Sequence, residues 1–140
     1  MELYTGVIYP LVLVVCAVLA ALGLATLATP RTHRLLKLAI PVAYAATGIH
    51  AAAVVVLMLT GLDQDLFLSI GYTVASIAVL ALLGIGRLGT PEAAAADTDP
   101  DRPVLTPAQI VRVDAVAAVI VAVALATVFW RVLTIVEGAA

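Results

Sequence analysis

Charged side chains are scarce in this chain. Lys and Arg number 7 and Asp and Glu 9 among 140 residues, 11% in all, where an ordinary soluble domain carries about 25%. A surface facing water on every side is thereby excluded. The formal net charge of -2 leaves no basic excess to hold a nucleic acid. Cysteine occurs once, so no intramolecular disulfide exists, and Cys16 inside an apolar run reads as a small hydrophobe. Aromatic residues make up 5%, too few for the stacked cages that hold organic cations. No Asp, Glu, Lys or Arg stands in the middle of a long apolar run, and ion-coupled carriers usually need one there. Paired carboxylates, a His/Cys cluster at metal-ligand spacing, a glycine-rich phosphate loop and a nucleophile–base pair are all missing.

What the chain has is apolar length. Hydrophobic residues reach 64% and mean hydropathy is +1.20. A helix rises about 1.5 Å per residue, so roughly 20 apolar residues cross a ~30 Å hydrocarbon core. Four stretches approach that length. The sequence predicts an all-α, polytopic integral membrane protein, a single domain over 1–140 whose four transmembrane helices form two antiparallel hairpins.

The first span is expected over about 4–29, with Pro10 in its opening turns and Pro30 at its end. Glu2 is the only charge ahead of it, so the basic start of a signal peptide is missing and the span is expected to be retained. Ala17, Ala21 and Ala25 recur every four residues, with Gly23 alongside. Such small-residue spacing lets a second helix approach closely. A basic link follows, Arg31 to Lys37, in which His33 reads as a solvated loop side chain.

The second span is expected over about 38–60, with Pro41 in its first turn and Gly61 as its stop. The next link holds Asp63 and Asp65, which suit the positive N-terminus of the third helix. That helix, about 66–86, carries Ser69, Tyr72, Thr73 and Ser76 on one stripe. Residues 88–105 are acidic and broken by proline, and read as a flexible cytoplasmic loop. Leu-Gly-Thr90-Pro91 there echoes Leu-Ala-Thr29-Pro30. The fourth span, about 107–136, opens on Thr106-Pro107-Ala108-Gln109, a capping box with proline at the first helical position. Trp130 and Arg131 near its far end read as interface anchors, with Arg131 also able to pair with Asp63 or Asp65 or to meet an anionic lipid.

Six of the seven basic residues lie in the Arg31–Lys37 and Arg87–Arg112 segments. The positive-inside bias puts those segments in the cytoplasm and both termini outside, in the cell membrane.

His50 is the candidate for chemistry, an ionisable ring near the middle of the second span. Ala43, Ala46, Thr47, Ala53 and Val54 make its helix face slender. The leading expectation is a hydrogen bond to a hydroxyl of the third helix, giving an intramembrane polar cluster of His50, Ser69, Thr73 and Ser76. A cofactor is not required. A haem b or quinone contact at His50 is the alternative, and a haem would need its second ligand from a partner. His33 lies about 25 Å away along a helix and cannot serve. The function expected is a non-catalytic accessory or anchor subunit of a larger respiratory or transport assembly, with the bilayer and other membrane subunits or copies of itself as partners. The alternatives are a small homo-oligomeric transporter or channel and an electron-transfer subunit using His50. Enzymatic activity of the chain on its own is not expected.

Overall fold

A computed structural model of the protein describes residues 2–60, 65–99 and 101–138. Among them there is no strand. The main helices are α1 (Tyr9–Ala28), α2 (His33–Leu59), α3 (Leu66–Leu80), the short α4 (Pro91–Ala95) and α5 (Pro107–Gly138). Three helical stretches, Tyr4–Ala28, Pro30–Leu59 and Pro107–Gly138, are long and apolar enough to cross a membrane.

Proline chemistry shapes the start of α1. An α-helical turn into Pro10 would press its ring on the Gly6 carbonyl and leave that carbonyl without a donor. The preceding turn, Tyr4–Ile8, is instead widened to a π-helix, with the Tyr9 N–H bonded to the Tyr4 carbonyl. Pro41 is placed differently from the sequence expectation. The Arg31–Lys37 segment is not an open link: a 3-10 turn over Pro30–Thr32 leads into α2 at His33. Pro41 is therefore interior to α2, and the Lys37 carbonyl has no N–H four residues on.

The third helix departs from its expected bounds. α3 stops at Leu80, and its 15 residues cover about 22 Å. The chain then tightens, with Leu82, Leu83, Ile85 and Arg87 donating to carbonyls three residues back. Gly84 takes the left-handed conformation at φ +71°, which glycine alone adopts without strain. A 3-10 helix over Ile85–Gly89 follows. Residues 88–105 are also structured in part. Thr90 caps α4 through the Ala93 N–H, and the Leu105 N–H returns to the Gly89 carbonyl at 2.8 Å. Arg102 bonds Asp97 and the Leu88 carbonyl. At the other helix starts the reading from sequence holds. Asp65 caps α3 through the Leu68 N–H, and Thr106 and Gln109 exchange both bonds of a capping box. Gly61 and Asp63 lie outside the described residues.

α1 and α5 share the most extensive contact and run antiparallel. Gly23 makes the approach possible: a Cβ there would stand 2.8 Å from Val119 Cγ2 and 2.9 Å from the Ala115 carbonyl oxygen. The inward face of α1 is Val12, Cys16, Leu19, Gly23 and Thr26, while Ala17 and Ala21 face outward. The core continues through Leu36, Ala43 and Ala46 of α2 and Ala118, Val121, Ala122, Leu125 and Phe129 of α5. Tyr44 of α2 donates to the Leu80 carbonyl at 2.8 Å, capping one of the acceptors left open where α3 ends.

Candidate functional site

Two polar nodes lie inside the bundle, one toward each end. The first is built on His50. Its neighbours at three- and four-residue spacing, Ala43, Ala46, Thr47 and Val54, are all buried, so the face is turned inward. The ring is fully buried. Its Nε2 lies 3.0 Å from the hydroxyl of Tyr4, carried by the π-helical turn of the N-terminal segment. Phe129 of α5 packs on it with ring centroids 4.3 Å apart, and Tyr4 at 5.7 Å. Nδ1 has no hydrogen-bond partner, and it is the single buried side-chain nitrogen or oxygen in that state among the described residues. Whichever tautomer is present, one ring nitrogen is unsatisfied, which costs about 1–3 kcal/mol.

The expected hydroxyl partners of His50 are not the ones it uses. Thr73 donates to the Ser69 carbonyl at 2.8 Å and Ser76 to the Thr73 carbonyl at 2.7 Å. These side chains bond their own helix, as hydroxyls in apolar surroundings readily do. Ser69 and Ser76 are buried. The four residues thus lie in neighbouring helices, but the hydroxyl that reaches His50 Nε2 comes from Tyr4. In this arrangement His50 Nε2 is engaged by the Tyr4 hydroxyl, Phe129 and Tyr4 pack on the ring, and His33 is held at the other end of α2.

The second node is at that end. His33 is not a solvated side chain. Its Nε2 lies 2.9 Å from Asp114 Oδ2, and Asp114 is 4% exposed. The other carboxylate oxygen accepts from the Gly86 N–H at 2.8 Å. A burial this deep demands that both oxygens find donors, and each does. One carboxylate therefore ties the start of α2, the 3-10 helix and the first turns of α5 together. Gly86 must be glycine for this contact, since a Cβ would stand 2.6 Å from Asp114 Oδ1 and 2.9 Å from the Ile110 carbonyl oxygen. Beside it, Thr26 and Thr32 share a hydrogen bond of 3.0 Å across the α1–α2 turn.

Arg131 is exposed at the opposite end, where its Nε donates to the Tyr72 hydroxyl at 3.4 Å and its guanidinium lies 6.0 Å from the Trp130 ring centroid. It forms no ion pair with Asp65. Tyr4, Phe129, Gly86 and Asp114 are the site residues that the sequence reading passed over. Asp114 had a visible signal: it falls on the same helical face as Val121, Leu125 and Ala118, at core spacing. Among the described residues no group of three His, Cys, Asp or Glu converges to hold a metal. Comparison with protein-family models, curated proteins and solved structures found no match for this chain.

Proposed function

We infer that the chain is a non-catalytic accessory or anchor subunit of a larger assembly in the cell membrane. In this reading four segments cross the bilayer as two hairpins, the third being α3 with its tightened continuation through Gly89, and both termini lie outside. The observation that carries it is where the intramembrane polar groups go. Tyr4 and His50 bond each other, and Thr73 and Ser76 bond their own helix, so these polar groups are spent on structure within the chain. The outward surface is apolar, with Phe67, Leu59 and Leu3 among its most exposed residues. Ala17 and Ala21 present a small-residue face on α1 that is exposed among the described residues, and such faces suit close helix contact in lipid.

The test is the composition of the particle extracted from native membranes in a mild detergent. Other polypeptides at fixed ratio to this chain support the reading. A particle made only of copies of this chain overturns it and favours a homo-oligomeric carrier.

A further inference from the structure

The outer face of α5 and the end of the third helical segment enclose an apolar groove of about 420 Å³. Leu82 and Ile85 form one wall, and Val113, Val116 and Ile120 the other. Arg112 is the one charged residue on its lining. From Arg112 to Ile120 the groove descends about 12 Å along the helix. Arg112 is exposed and makes no hydrogen bond or ion pair to any described residue. Arg102, by contrast, is held by Asp97 and the Leu88 carbonyl. The carboxylate nearest to Arg112 along α5, Asp114, faces the core with both oxygens engaged, so it does not neutralise the guanidinium from within its own helix. A free cation on the lining of an otherwise apolar trough along a long apolar helix matches one chemistry, an anionic headgroup with an acyl chain beside it.

We propose that this groove is a binding site for an anionic phospholipid of the cytoplasmic leaflet, with Arg112 on the phosphate and Val113, Val116 and Ile120 along the chain. The proposal rests on the placement of the Arg87–Arg112 segment at the inner face, and not on the subunit reading.

The full chain, purified in mild detergent, is titrated with phosphatidylglycerol or phosphatidylcholine, and retained lipid is followed by native mass spectrometry. Phosphatidylglycerol is expected to bind more tightly than phosphatidylcholine. Arg112→Gln is expected to weaken phosphatidylglycerol binding roughly fivefold, the effect of one cation near an anionic headgroup, and to leave phosphatidylcholine unchanged. Val116→Trp fills the groove without altering charge and should weaken both. Arg87→Gln removes a charge of the same face outside the groove and should change neither. Circular dichroism confirms that each variant is folded. Equal binding of the two lipids by the natural chain overturns the proposal. An equal loss in Arg87→Gln and Arg112→Gln does so as well, because it would mean diffuse surface charge. Competition by inorganic phosphate that matches the lipid would assign the site to a free anion and also overturn it.

Discussion

Asp114 Oδ2 accepts from or pairs with His33 Nε2 at 2.9 Å while its Oδ1 accepts from the Gly86 N–H at 2.8 Å. Three segments far apart in sequence meet at one buried carboxylate. The contact sets the relative height of α2, the 3-10 helix and α5, because slipping any of them by one turn moves the partner about 5.4 Å away. Asp114→Ala should destabilise the protein by about 2–3 kcal/mol, since it strands a buried N–H as well as the ring nitrogen. Asp114→Asn keeps an acceptor for Gly86 and should lose less. Unfolding by denaturant in detergent micelles, compared across the two variants, checks the order.

Glycines in this chain divide by what a side chain would meet. Gly23→Ala would push a methyl into the Ala115 carbonyl and Val119, forcing α1 from α5 at a cost of about 1–3 kcal/mol. Gly48 has nothing within 4 Å of a built Cβ, and sits inside α2. Gly48→Ala should therefore be neutral or gain about 0.5–1 kcal/mol from helix propensity. Equal effects of the two substitutions on the thermal midpoint would contradict the close approach.

Tyr4 and His50 form a pair that a double-mutant cycle can isolate. Tyr4→Phe, His50→Leu and the combination should show a coupling of about 0.6–1.7 kcal/mol, the range for interhelical hydrogen bonds in a bilayer. His50→Leu alone should be milder than a typical core deletion, because it also removes the unsatisfied Nδ1. A coupling near zero would mean that the bond of 3.0 Å contributes nothing net.

Membrane orientation is open to labelling. A cysteine introduced at Thr98 should react with an impermeant reagent only from the cytoplasmic side, and one at Glu137 only from outside. The natural Cys16 is 5% exposed and should stay silent in both. Labelling of both introduced sites from the same side would refute the four-crossing topology.

The loop has its own titration. The Asp99 backbone N–H, followed by the Arg102 side chain, holds the Asp97 carboxyl below its ordinary 3.8. A depressed value in the folded loop favours that fold above the ordinary carboxylate range, and the effect disappears as pH falls through the depressed value. Arg102→Ala should move the Asp97 midpoint upward, as read by side-chain NMR.

Much of the secondary structure was legible because its causes are local. The Thr106–Gln109 box and the place of Asp65 at the start of α3 depend on residues a few positions apart, and the structure uses both. The third segment was misjudged at its end because hydropathy runs on through Ala81–Ile85, whereas Gly84, Gly86 and Gly89 let the backbone tighten. His33 was misjudged for a related reason. A helix that begins three residues after Pro30 carries it inward, and its partner stands 81 positions away.

Composition and periodicity alone determined that this is a helical chain with long apolar spans, that its basic residues gather in two segments, and that His50 lies on a slender inward face. Those properties follow from local spacing and transfer to lipid, which are written residue by residue. Which hydroxyl meets His50, which base meets Asp114, and which glycine admits α5 were decided by the tertiary structure. Alanine-rich faces fit one another in several registers at similar energy, so the register is chosen by a few buried polar groups that must find partners, and those partners are distant in the chain.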